Sequence, residues 1–417
     1  VKKAFYNGIL ASLVSIILNF TFKVITANVI LKSSLTLYFT TIDIFTLTLL
    51  ILVGFRSSMV VTFAQIKNPQ MIVNIFRGVL IFIVLTVWAF IIPFLKHKMG
   101  VDIHYWYLVA TVLGMSLSIY YSNIIAMYRL YGIINFVTFL EPLVALFWFC
   151  IAYFIFHQDG IRPLFIATIM STFIVSFYIY KMSKKHFPAV SLKRPILDDN
   201  AIKFIKNSVI STVEFGSGIV LLYVAVLIMI KYFSTDELGD FQVVTKPIFS
   251  YMVMLFVFPI FRFVLPELSK LIHEKKFEEI NSLKNWILRY AFIVSGIFIV
   301  VSMLFSSELI GLLFPQEYIN ASLMVKHLSF FFIFLILNSY QISFIKASGA
   351  FLSAMLIRLF GIVSLIVIFF IIYNFYSKNV ISVIVALVSS YLIMFGISFI
   401  VEKKILRELK HSHKIEN

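Results

Sequence analysis

Long apolar stretches, broken by short charged or turn-forming segments, run from one end of the chain to the other. A run of about 20 apolar residues is long enough to cross bilayer hydrocarbon as a helix. The pattern predicts spans at Phe5–Ala27, Leu35–Phe55, Val73–Leu95, Tyr105–Met127, Ile133–Phe156 and Leu164–Tyr180. It predicts six more at Val209–Ile230, Phe241–Phe261, Ile287–Phe305, Leu328–Phe344, Phe351–Tyr373 and Val380–Val401. Uniformly apolar runs of this length satisfy their backbone internally as helices, whereas barrel strands would be about half as long and alternate polar with apolar positions. The expected fold is all-α, a polytopic membrane protein of about twelve transmembrane helices.

Composition excludes the soluble classes. Of 417 residues, 61% are apolar and 13% charged, against roughly 45–50% and 25% in ordinary soluble domains. Val1-Lys2-Lys3 and the run behind them resemble a secretory signal, but the run exceeds the 7–15 residues of such a signal's apolar core, so it is read as the first helix. The single cysteine, Cys150, lies within a span, so no intrachain disulfide is expected.

The net charge of +16 follows from topology. Placing the loops alternately on two sides puts 26 of the 35 Lys and Arg on the side of both termini and 9 on the other. The positive-inside bias makes that side the cytoplasm. Cations spread over short loops beside anionic head groups need membrane lipids as partners and no nucleic acid.

The longest segment outside the spans, 28 residues from Lys181 to Ser208, carries seven of these cations. It divides the chain into an N-terminal six-helix lobe (1–180), a cytoplasmic linker (181–208), a C-terminal six-helix lobe (209–401) and a cytoplasmic tail (402–417). Pro188 and Pro195 block helix there, and Asp198-Asp199-Asn200 favours a helix cap. A short echo supports two halves. Leu35-Thr36-Leu37-Tyr38, Asp43-Ile44-Phe45 and Phe55-Arg56 in the second span parallel Leu238-Gly239-Asp240-Phe241, Lys246-Pro247-Ile248-Phe249 and Phe261-Arg262 in the eighth. Duplicated halves are a common plan for transporters.

Enzyme chemistry leaves no trace. There is no phosphate-binding Gly-x-x-x-x-Gly-Lys-[Ser/Thr], no His-Glu-x-x-His, no Gly-x-Ser-x-Gly and no loop large enough for a catalytic domain. No enzyme activity, metal or cofactor is expected. What stands out is a sparse set of ionisable residues within the spans, each costing about 2.5–3.5 kcal/mol on insertion scales. Asp43, Glu141 and Glu214 are candidates for ion coupling or gating, the alternative being protonated or locally hydrogen-bonded acids. Lys246 and Asp43, at nearly equivalent places in the two halves, would meet if an outer mouth closed, the alternative being separate local pairing. Lys23, Arg56, Arg262, Lys346 and Arg358 lie nearer the span ends; each alone fits snorkelling to the surface, and together with Lys246 they fit a basic lining for phosphate, which guanidinium grips bidentately. Pro266 to Ile280, with Leu268, Leu271, Ile272 and Ile280 near helical spacing, reads as an amphipathic helix at the membrane surface.

From this stretch onward the sequence resembles a known family. Glu237-Leu238-Gly239-Asp240-Phe241, Val264-Leu265-Pro266-Glu267-Leu268-Ser269-Lys270-Leu271, Glu308-Leu309-Ile310-Gly311-Leu312-Leu313-Phe314-Pro315-Gln316-Glu317-Tyr318 and Ala347-Ser348-Gly349 resemble the polysaccharide flippases of the multidrug/oligosaccharidyl-lipid/polysaccharide exporter superfamily. Pro315-Gln316 stands where such flippases usually carry Gly, and the likeness is thinner in the N-terminal half. The resemblance implies two six-helix lobes arranged as a V and alternating access. It implies carriage of undecaprenyl-diphosphate-linked oligosaccharide, such as an O-antigen or other surface polysaccharide unit, across a bacterial inner membrane with both termini cytoplasmic. It further implies function as a monomer, with room for a complex with a glycan polymerase or ligase. The alternative within the same superfamily is a multidrug or cation antiporter; a membrane glycan polymerase is disfavoured by the short outer loop Ser306–His327.

Overall fold

The computed structural model describes residues 2–66, 68–98, 103–187, 198–257, 260 and 264–416; within these, the side chains of 2–9, 57, 61, 64–66, 98, 211, 214–219, 266, 273 and 410–416 are outside the description. Among the described residues the chain is helical, with no strand. Each expected span coincides with a long helical stretch. In chain order these are α1 (Lys2–Val29), α2 (Lys32–Ile66), α3 (69–98), α4 (Tyr105–Met127), α5 (Tyr131–Ile155), α6 (Arg162–Ser183), α7 (Asp199–Tyr232) and α8 (235–256). A short α9 (Leu265–His273) follows, then α10 (Phe277–Leu313), α11 (321–347), α12 (Phe351–Phe375) and α13 (Ile381–Glu416). By length and apolarity alone, nine described helices are able to cross a membrane, or ten counting the bent α11 as one span.

Several helices outrun the apolar core that predicts them. α2 continues to Ile66, α10 begins at Phe277, and α13 extends to Glu416. Hydropathy marks where lipid ends; the i to i−4 ladder continues through charged residues of good helix propensity, such as Lys403, Lys404 and Arg407. Residues 199–208, expected as linker, are the first turns of α7, capped as expected by Asp198, whose carboxylate accepts from the Ala201 amide at 2.8 Å. The Pro188 and Pro195 part of the linker lies outside the described residues.

The chain forms two compact units, Val1–Gly216 and Ser217–Asn417, the division falling inside α7. In the first unit α1 packs on α5, α2 on α4, and α6 on both α4 and α5. In the second, α11 and α12 pack on α13, and α9 and α10 on α11. Apolar side chains on the outer faces, among them Phe292, Ile293, Ile297 and Leu304 of α10 and Phe360, Val363 and Val367 of α12, are exposed, as acyl chains require of a membrane protein.

The same turn joins the fourth and fifth long helices of each half. After α4, the Arg129 amide donates to the Ala126 carbonyl (3.0 Å) and the Leu130 amide to Ile125 (2.9 Å). After α11, Gly349 donates to Lys346 (2.9 Å) and Ala350 to Ile345 (3.1 Å). Both turns depend on a left-handed residue, Arg129 at φ 56° and Gly349 at φ 87°, as this form of helix ending demands. The same turn thus occurs once in each unit.

The expected surface helix differs from its reading. α9 ends at His273, and Lys275 at φ 57° turns the chain into α10, which takes Ile280. Leu268 and Leu271 are buried in the core of the second unit. The amphipathic pattern is real, but the bundle, not the lipid surface, covers its apolar side.

Candidate functional site

The polar groups within the helices are the chemistry this chain offers. In the first unit, Lys23 of α1 holds its ammonium over the ring of Phe39 of α2, so its charge is sheltered by an aromatic face. Asp43 of α2 is buried. Arg56, four turns further along the same helix, is exposed. Glu141 is half-buried in α5 directly before Pro142, which the helix accommodates internally. Around these residues neutral hydrogen bonds tie the helices. Asn123 of α4 donates to the Leu52 carbonyl of α2 at 2.8 Å, and the hydroxyls of Ser58 and Ser208 join α2 to α7 at 2.6 Å. Gly54 permits that approach: a Cβ there would collide with the backbone and side chain of Thr212.

In the second unit Lys246 follows a widened, π-helical turn, Asp240–Thr245, in the middle of α8. Pro247 has no amide hydrogen to offer the carbonyl four residues back, so the ladder before it is already interrupted. Such turns often occur at functional positions. The Lys246 ammonium donates to Gln242 Oε1 at 3.3 Å and lies 5.0 Å from the ring centroid of Tyr223 on α7. Asp240 and Gln242, both in the widened turn, are buried. Asp43 thus belongs to the first unit and Lys246 to the second. Glu214 lies on the continuous α7 with its side chain outside the described residues, and Arg262 is outside them altogether.

Two pairings were not foreseen from the sequence. Lys346, in the last turn of α11, and Arg358, two turns into α12, are close enough for their charges to act on each other, and Tyr391 of α13 faces Arg358. The tight Ser348-Gly349 turn brings these cations together, and its sequence is the signal that would have paired them. The other group is an ion pair, Lys284 Nζ to Glu402 Oε1 at 2.6 Å, joining α10 to α13. Both residues lie just beyond their predicted spans and on the same side of the membrane, so equal depth was the available clue. Among the described residues no cluster of three or more His, Cys, Asp or Glu is placed to hold a metal ion.

No protein-family model matches the chain, and no curated protein matches it in sequence. Solved structures do. A multidrug resistance MATE family transporter of the MOP superfamily, inward-facing, superposes with TM-score 0.77 at 12% identity, covering 95% of this chain and 96% of that one. The lipid II flippase MurJ, in an inward closed conformation, gives 0.74 at 15% identity over 98% of this chain and 90% of that one. A MOP superfamily transporter from Pyrococcus furiosus, described by the reverse polarity of its binding pocket, gives 0.71 at 12% identity over 98% and 96%. At these identities the likeness establishes the fold: this chain has the architecture of MOP superfamily transporters, over essentially its whole length.

Proposed function

We propose that this protein is a flippase that carries a lipid-linked oligosaccharide, joined through diphosphate to a polyprenyl chain, from the inner to the outer leaflet of a bacterial inner membrane by alternating access. The observation that carries the reading is the sign of the charges held within its helices. Lys23, Arg56, Lys246, Lys346 and Arg358 lie on helices whose sequences are read as spans, a costly arrangement that suits a cargo bearing phosphate. A sugar head group cannot cross hydrocarbon unaided, because each hydroxyl left without a partner costs roughly 2–7 kcal/mol. The likeness in fold to the lipid II flippase MurJ supports the same reading.

In this proposal Lys23, Arg56, Lys246 and Arg262 contact the diphosphate, and Asp43, Glu141 and Glu214 serve ion coupling or gating. Moving two negative charges outward across an interior-negative potential of about 100 mV releases ~4–5 kcal/mol, so the potential supplies a drive without ATP. Both termini face the cytoplasm, on the 26 to 9 distribution of cations.

A multidrug or cation antiporter is the second reading, favoured by the buried Asp43 and by the likeness in fold to a multidrug transporter. Liposomes containing only this chain separate the two. The flippase reading expects inversion of a fluorescent polyprenyl-diphosphate sugar, reduced at least tenfold by R56A and K246A together. Efflux of an organic cation under an imposed gradient, with no lipid inversion, would overturn it in favour of the antiporter.

A further inference from the structure

The ion pair between α10 and α13 is incomplete in a specific way. An ionised carboxylate has about four acceptor positions; Glu402 uses one oxygen, Oε1, for Lys284. Its other oxygen, Oε2, is shut off from solvent and has no hydrogen-bond partner. Glu402 as a whole is only 2% exposed. The Tyr340 hydroxyl of α11 is likewise buried without a partner, and near enough to Glu402 to feel its charge. Lys284 remains partly open, with 26% of its side chain accessible, so solvent reaches one edge of the group.

We propose that Glu402, with Lys284, forms a proton-binding site within the second unit. A proton from water on the Lys284 side bonds to Oε2. The carboxylate becomes a neutral acid, and the charge attraction that holds α10 to α13 disappears. Lys284 keeps its own protons, and no other bond is made or broken.

Other charges lie on the same helices: Lys404, Arg407 and Glu408 on α13, Arg289 on α10 and Lys346 on α11. α10 contributes Lys284 and α11 contributes Tyr340. On α13 itself Lys403 directs its ammonium over the ring of Phe399. Arg358 of α12 acts on Tyr391, eleven residues and about 16 Å along α13 from Glu402. Lys326 and His327 lie on the other arm of α11, beyond its bend. On α9, Lys270 faces Glu274.

The inference goes beyond the transport reading and is independent of the cargo, because its readout is the carboxyl group itself. Infrared difference spectra of the full chain in detergent micelles, taken between alkaline and acidic buffer, should show a carbonyl component of a buried protonated carboxylic acid that is missing from the same spectra of E402Q; the band is this difference between the two chains. K284Q, which removes the opposing charge, should raise the midpoint of that band by about 1–3 pH units. Identical carbonyl bands in the unmodified chain and in E402Q, or a midpoint unmoved by K284Q, would each overturn the proposal. Loss of lipid inversion without any change in the band would instead count against the flippase reading alone.

Discussion

The two units close their fourth and fifth helices with the same pair of hydrogen bonds and both satisfy buried hydroxyls along their own helices, but the second adds a buried ion pair between helices. In the first unit Thr36 bonds back to Lys32, Thr41 to Leu37 and Ser176 to Thr172, and in the second Ser343 bonds back to Ser339 and Ser364 to Phe360. Such bonds satisfy the polar group without fixing a neighbour. Between helices the first unit has close approach at Gly54, the pair of Ser58 with Ser208 and the Arg77 guanidinium donating to the Tyr120 hydroxyl, and the second has Ser398 donating to Asn338. In the second unit a buried charge joins one helix to another, Glu402 to Lys284. Neutral bonding is insensitive to pH and salt. An ion pair across helices fixes their register and is released by one proton.

The largest test of this contrast is K284A. Leaving Glu402 buried without its cation should cost about 3–5 kcal/mol, whereas replacing both by leucine should be close to neutral; thermal unfolding in micelles checks both. Next is G54A, which forces a methyl group against the Thr212 backbone and should cost about 1–3 kcal/mol by the same measurement. The shared turn gives a pair of opposite sign. G349A places a side chain in the left-handed region and should lose about 1–2 kcal/mol. R129G relieves a similar strain but should gain under about 1 kcal/mol, because glycine brings greater entropy to the unfolded chain. Smallest is T41V, where the hydroxyl bonds only its own helix; the change should stay within about 0.5 kcal/mol. A cost for T41V comparable with K284A would erase the distinction between the units.

The spans were legible because length and apolarity are properties of the sequence itself, and the left-handed glycine was legible in Ala347-Ser348-Gly349. Helix ends were not, since polar residues of high helix propensity extend the ladder past the lipid. The widened turn in α8 left only Pro247 as a hint. Of the site residues, Asp43, Lys246 and Lys23 could be named from their cost in a membrane. Their neighbours Gln242, Tyr223 and Phe39 could not, because periodicity tells which face a residue occupies and not which helix lies opposite. Glu402 and Lys284 escaped for a related reason: each looks like an ordinary charge at the edge of a span until packing joins them.

One extra residue in the Asp240–Thr245 turn rotates everything beyond it by about 100° relative to a regular helix. A helical wheel drawn from Leu238 therefore aims Lys246 more than a quarter-turn away from where it points. Deleting a single residue there would restore a straight rod and, in doing so, swing the ammonium off Tyr223.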